Sequence, residues 1–186
     1  CPSPVGAHPA TEQLLVVGAG HIAVPLAHLG RMLDFRVTVL DDRDEFADAA
    51  RFDAGVRVAR LDFEDPFGSF APDERAFVVL VTRAHRHDFD CLRELLRRDP
   101  LPRYVGMIGS RRRVPGAVAA LLDEGVPRER LARVRAPLGL DIGAETPEEI
   151  AVSVVAEMIA VRRGIAERDD AGAPLATREG VLDRFF

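Results

Sequence analysis

Six residues, Gly18-Ala19-Gly20-His21-Ile22-Ala23, follow the apolar run Leu14–Val17 and precede a stretch with helical spacing. The chemistry this pattern suits is anion binding. Gly18 permits a tight turn, and Gly20 removes the Cβ that would keep a pyrophosphate away from the backbone. Ala23 is small enough for close packing of helix on sheet. Behind them a helix N-terminus offers N–H groups and the positive end of its dipole. His21 and Ile22 lie on the turn itself, and His21 points towards the expected ligand. A turn that binds nothing has the same outline, so its meaning depends on what the other strand ends bring to it.

Four further segments carry chemistry. Asp41 and Asp42 end the run Phe35–Leu40. Asp41 stands about 20 residues beyond the glycines, the place of a carboxylate that binds ribose hydroxyls. That spacing favours NAD or an adenosine group, while Arg43 keeps NADP open. Thr82-Arg83-Ala84-His85-Arg86-His87-Asp88 follows another apolar run and supplies Thr82 and His85 as candidates. Histidines transfer protons or act as ligands, although any one of them on a polar loop reads first as a surface residue. Gly109-Ser110-Arg111-Arg112-Arg113 sets three arginines at the start of a helix, where the dipole favours acids. An anion held by Ser110, Arg111 and Arg112 would remove that conflict. Lastly, Asp141 lies between Gly139 and Gly143, just ahead of a helix start.

The elements that must position these groups alternate. Leu14–Val17, Phe35–Leu40, the weaker run Gly55–Leu61, Ala76–Thr82 and Arg103–Gly109 read as strands. His21–Leu33, Phe89–Arg97 and Val114–Leu122 read as helices. Thr146, Pro147 and Glu149 form the signature of a capping box that opens a final helix. Such alternation predicts an α/β fold: a doubly wound, Rossmann-like parallel sheet in a three-layer α/β/α sandwich, strand order 3-2-1-4-5, with room for a sixth strand near Arg133–Pro137. In that fold ligands bind beyond the carboxyl ends of the strands. Every candidate above sits there.

Composition narrows the function classes. The 186 residues are 47% hydrophobic and 30% charged, enough for one globular domain with its own core. A net charge of −5 argues against a nucleic-acid-binding module, and the absence of Trp with a single Tyr supplies few stacking platforms. No run approaches the roughly 20 apolar residues of a membrane helix. Cys1 and Cys91 have no metal-ligand spacing. Few cysteines and no signal peptide fit a cytoplasmic setting. Residues 1–13 read as a leader or linker, 14–165 as the cofactor-binding domain and 166–186 as a C-terminal tail.

Taken together, "VGAGHIAVPLAHL", "VVLVTRAHRHDFDCL", "RYVGMIGSRRR" and above all "APLGLDIGAETPEEIAVSVVAEM" resemble the Rossmann-type domain of the XdhC/CoxI family, accessory factors of molybdenum hydroxylases. The resemblance runs from about Leu14 to Arg163. It implies a maturation chaperone rather than a catalyst. Such a protein binds the molybdenum cofactor, molybdopterin or its dinucleotide, and helps insert it into an apoenzyme such as xanthine dehydrogenase. It also implies a cofactor-sulfurating partner and a homodimer. Arg83 and Ala84 stand where relatives tend to show a His-Asp pair. Two other readings share the glycine loop: an NAD(P)-dependent oxidoreductase, for which no catalytic Tyr-Lys pair is visible, and a regulatory nucleotide-sensing module.

The arginine run generates the first prediction. Arg111→Ala is expected to weaken a phosphate-bearing ligand by about 1.5–3 kcal/mol, the scale of a charge-assisted hydrogen bond. Titration calorimetry on parent and variant measures this, and equal affinities would return the arginines to a solvated surface.

Overall fold

In the apolar runs, neighbouring side chains are buried on opposite faces, as the two-residue period of a strand requires. A computed structural model describes residues 11–83, 85–109 and 114–165 of the chain. Within them lie strands β1 (Gln13–Val17), β2 (Arg36–Asp41), β3 (Arg57–Arg60), β4 (Phe77–Leu80), β5 (Tyr104–Met107) and β6 (Val134–Arg135). All pairings are parallel, in the order β3-β2-β1-β4-β5-β6. The expected order holds, and the sixth strand is present as a two-residue edge.

Helices α1 (Ala23–Met32) and α5 (Pro147–Arg162) cover one face; α2 (His85–Arg97) and α3 (Val114–Asp123) cover the other. A short helix, α4 (Arg128–Leu131), leads into β6. Leu14, Val16, Val37, Val39, Phe77 and Val79 face α1 and α5. Their neighbours Leu15, Val17, Leu40, Val78 and Leu80 pack with Cys91, Leu92, Leu95 and Leu96 of α2. Burying each such Leu, Val or Phe contributes about 1.5–3 kcal/mol. The sheet therefore carries the stability, and its loops are free to hold polar geometry. Among the described residues no helix is long and apolar enough to cross a membrane.

Two boundaries differ from the sequence reading. Helix α2 begins at His85, one turn before Phe89. Its first turn contains no apolar residue to reveal it; the core-facing position is taken by Asp88, which is 0% exposed. Helix α1 begins at Ala23, so His21 and Ile22 belong to the turn. The capping box at Thr146 forms as expected: its side chain accepts from Glu149 N–H, and the Glu149 carboxylate accepts from Thr146 N–H at 3.0 Å.

Three buried acids stitch strand ends to helices. Glu157 of α5, 3% exposed, accepts from the Tyr104 hydroxyl at 2.6 Å and from Gly139 N–H at 2.9 Å. Burial, and then the Glu157 carboxylate, raise the Tyr104 phenol well above its ordinary pKa. Asp88 accepts from Thr82 N–H at 3.1 Å and from the Thr82 hydroxyl at 2.7 Å. Burial pushes its carboxyl up to about 6, against the pull of those bonds. The Cys91 thiol, buried beside it, is pushed up to about 12 by the same desolvation and then by Asp88 and Asp90. Asp41 is the third acid, and it belongs to the glycine turn.

Two predictions rest on these contacts. Glu157→Ala leaves Tyr104 and Gly139 without an acceptor and is expected to cost about 2–4 kcal/mol in urea denaturation. Glu157→Gln keeps an acceptor oxygen and should lose about 1 kcal/mol or less; equal losses would contradict the network. For Asp88, the folded chain holds the proton more tightly than the unfolded chain. Its contribution to stability is therefore full below the ordinary value of 3.8, declines as pH rises, and is gone above about 6. Asp88→Asn retains the oxygen that accepts from Thr82 but does not titrate. The stability of this variant relative to the parent should rise across that window; a difference independent of pH would sink the assignment.

Candidate functional site

Val17 of β1 is level with Leu40 of β2 and Leu80 of β4, so three loops leave the sheet side by side. Gly18 is wedged between its neighbours. Its N–H donates to Leu40 C=O at 2.7 Å, its φ is +104°, and a Cβ there would lie 2.5 Å from the Val81 carbonyl oxygen. Only glycine fits this close approach without moving the β4 exit. At Gly20 a Cβ would meet nothing within 4 Å, so the space above the turn is open. His21 is exposed, and Ile22 packs partly against the α1–α5 core. Helix α1 has no side-chain cap and no acid in its first turn. The positive end of its dipole meets the open space without a resident counter-charge from its own sequence.

Asp41 fixes the turn. It is 3% exposed and accepts from Ala19 N–H at 2.7 Å, from Arg43 N–H at 3.0 Å and from the Arg43 guanidinium at 2.9 and 3.1 Å. Burial raises this carboxyl's pKa, but the Arg43 and Ala19 bonds outweigh burial and leave it below the ordinary value. Arg43 lies 3.5 Å above the Phe46 ring, a cation–π contact. From the other side Arg51 donates to the Ala19 carbonyl at 2.8 Å and to the Phe46 carbonyl at 2.9 Å. Both backbone polar groups of Ala19, and so the two peptides that flank it, are thus held. Asp41, expected to bind a ribose, and Arg43, which kept NADP open, are engaged with each other and with the turn. The carboxylate left at the rim is Asp42.

Asp42 pairs with Arg83, beyond β4, at 2.7 Å. Beside it, Thr82 is anchored by Asp88, and the ring of His87 stacks on Phe63 at 3.8 Å. His85 opens α2. Gly109 lies two residues past β5, half-buried. Ser110, Arg111 and Arg112, where an anion site was expected, lie outside the described residues.

The loop before α5 forms the other wall. Leu138 N–H donates to Met107 C=O, which places the loop at the carboxyl end of β5. Gly139 has φ +86°, and a Cβ there would lie 2.4 Å from the Ser153 hydroxyl oxygen. That hydroxyl donates to Leu140 C=O at 2.6 Å, and Glu157 takes Gly139 N–H. Asp141 follows, exposed at the same end of the sheet as Gly18 and Asp42.

The structure therefore brings Gly18, Gly20, His21, Ile22, Asp42 and Thr82 to one end of β1, with Asp141 and Gly109 on the β5 side. Sequence reasoning missed Arg51, Glu157 and the anchoring role of Asp88. Only Asp88 left a signal, since it continues the apolar spacing of Cys91, Leu92 and Leu95. A cavity of about 680 Å³ lies elsewhere, lined by Glu74, Arg75, Asp99, Leu101, Arg103 and Arg130. It is at the opposite end of the sheet, where β4 and β5 begin. Arg103 is tied to Glu12 and the Arg162 carbonyl, and Arg130 to the Leu96 and Arg98 carbonyls. Volume alone does not outweigh the glycine turn as the place for a ligand. Among the described residues no cluster of three His, Cys, Asp or Glu side chains is placed to hold a metal ion. Among the described residues, the crevice offers backbone N–H groups, a helix terminus, rim carboxylates and the exposed Arg83.

Comparison with known proteins agrees with this architecture. The uncharacterized protein YqeB of Escherichia coli K12 is 32% identical over 164 residues, covering 85% of this chain and 29% of its own length. A relative from Bacillus subtilis 168, named as a probable xanthine dehydrogenase component, is 31% identical over 154 residues, covering 83% of this chain and 44% of its own. A crystal structure described as a xanthine dehydrogenase from Bacillus halodurans superposes with a TM-score of 0.69 at 30% identity, covering 88% of this chain and 45% of that one. The chain spans less than half the length of each of these relatives. A family model for the XdhC Rossmann domain matches residues 14–158, and the chain belongs to that family.

Proposed function

We propose that this chain is the cofactor-binding Rossmann domain of an accessory factor for a molybdenum hydroxylase such as xanthine dehydrogenase. The observation that carries the reading is the XdhC Rossmann match over residues 14–158, joined to a relative named for xanthine dehydrogenase. The cargo is the molybdenum cofactor, molybdopterin or its dinucleotide. Its phosphate end fits the open space above Gly20, where the N-terminus of α1 lacks a cap and an acid. Asp42 and Asp141 supply acceptors at the rim for the N–H groups of a pterin. With both backbone polar groups of Ala19 held, the turn is shaped before any ligand arrives, which lowers the ordering cost of binding. The chain acts as a homodimer in the cytoplasm, receives the cofactor with a sulfurating protein as partner, and delivers it to the apoenzyme.

An NAD(P)-dependent oxidoreductase is the second reading. The chain's one tyrosine, Tyr104, is buried against Glu157 and well above its ordinary pKa, so it is no candidate for proton transfer to a substrate. A nucleotide-sensing module needs the same turn without chemistry and is separated from the first reading by its ligand.

The test is coexpression of a molybdenum hydroxylase with and without this protein, with mass spectrometry of whatever copurifies. A pterin in the purified protein and higher molybdenum occupancy in the hydroxylase are the expected results. Tight NAD binding, no pterin and unchanged occupancy would sink the reading.

A further inference from the structure

Two strand exits at the crevice are joined by a side-chain contact. Asp42 follows β2 and Arg83 follows β4, and β1 lies between those strands. Neighbouring strands are about 4.8 Å apart, so the two exits are separated by about twice that distance. The Asp42–Arg83 pair, at 2.7 Å, therefore spans the end of β1 above the Gly18 turn. Both ends rest on fixed backbone. Asp41, next to Asp42, is locked to Ala19 and Arg43, and Thr82, next to Arg83, is locked to Asp88. The side chains themselves are accessible, Arg83 at 51% and Asp42 at 25%.

Among the described residues, three other cations near the turn have different partners. Arg43 is held by buried Asp41, and Arg51 by the Ala19 and Phe46 carbonyls. Arg60 pairs outward with Asp44. An exposed ion pair contributes only about 0–1 kcal/mol. A phosphate takes an arginine through two parallel hydrogen bonds, roughly twice as strong as neutral ones, and gains the α1 dipole besides.

We infer that Arg83 is an anion-reading residue of the glycine-turn crevice, with Asp42 as the resident counter-ion that a phosphate- or pyrophosphate-bearing ligand displaces. This deepens the proposed function and rests on its placement of the ligand. The exchange forms and breaks no covalent bond. After it, Asp42 remains at the rim as a like charge, so the crevice selects against surplus negative charge on the β2 side of the ligand.

Inorganic pyrophosphate is the probe, because it has no sugar or ring for Asp42 to contact. By titration calorimetry at low salt, Asp42→Asn should bind it about three- to fivefold more tightly than the parent, and Arg83→Ala about tenfold more weakly. In the double variant the gain from Asp42→Asn should vanish, and Arg83→Lys should recover part of the loss. Thermal melts check that every variant folds. A gain from Asp42→Asn that persists without Arg83, or single variants indistinguishable from the parent, would overturn the inference while leaving the accessory reading intact. A parent that does not bind pyrophosphate would overturn both the inference and the placement of the ligand. A normal pyrophosphate response together with tight NAD binding, no pterin and unchanged hydroxylase occupancy would uphold the inference and remove the accessory reading. ADP and a pterin phosphate monoester, titrated in parallel, tell which carrier brings the anion.

Discussion

The bond from Ala19 N–H to the buried Asp41 carboxylate sets the geometry on which the crevice depends. It ties the turn after β1 to the end of β2, and so decides where α1 begins and which way the Gly20 face opens. A buried carboxylate is costly to desolvate unless well-aligned donors surround it. Asp41 has them in Ala19 N–H, Arg43 N–H and a two-pronged Arg43 guanidinium. Gly18 completes the constraint by letting the turn press against the Val81 carbonyl. A ligand arriving here meets a formed site.

Adjacent carboxylates at a strand end cannot do the same work. Successive side chains along a strand point to opposite sides, so of Asp41 and Asp42 one turns into the loop and the other out to the rim. The acid at the customary ribose position is the inward one, and its neighbour carries the exposed charge. Spacing placed a carboxylate at the β2 exit but could not say which of two would face a ligand. The cations divide likewise: Arg43 and Arg51 turn inward to shape the turn, and Arg83 turns outward.

Much of the fold was legible because local signals agreed. The apolar runs gave the strands, Gly18 and Gly20 gave the turn, and Thr146 with Glu149 gave the start of α5. What stayed hidden was polar and long-range. Arg51 reaches Ala19 across 32 residues and Tyr104 reaches Glu157 across 53, and no periodicity records such pairs. Helix α2 reads a turn short in the sequence because a buried aspartate occupies the place of an apolar side chain. Of the candidate site, the glycine turn and the Asp42, Thr82 and Asp141 positions were visible as types at strand ends. Their partners, which decide what each can still bind, were not.

One device recurs around the crevice. Asp41 takes the N–H of Ala19, Asp88 that of Thr82, and Glu157 that of Gly139; in each case a buried acid grips the backbone just past a strand exit or in the loop facing it. Apolar residues of similar volume at these positions would avoid the desolvation penalty and often stabilise a fold. They would also release three loops whose backbones must stay in place. In α5, Ser153 and Glu157 lie four residues apart on one helical face, so a single buried helix fixes both the Leu140 carbonyl and the Gly139 N–H. The cost in stability falls on a sheet with apolar burial on both faces, and the rigidity appears at the end where the proposed ligand would sit. This division explains why buried carboxylates cluster at the carboxyl ends of the strands, while the more accessible pair beside them, Asp42 and Arg83, holds no backbone group of the turn.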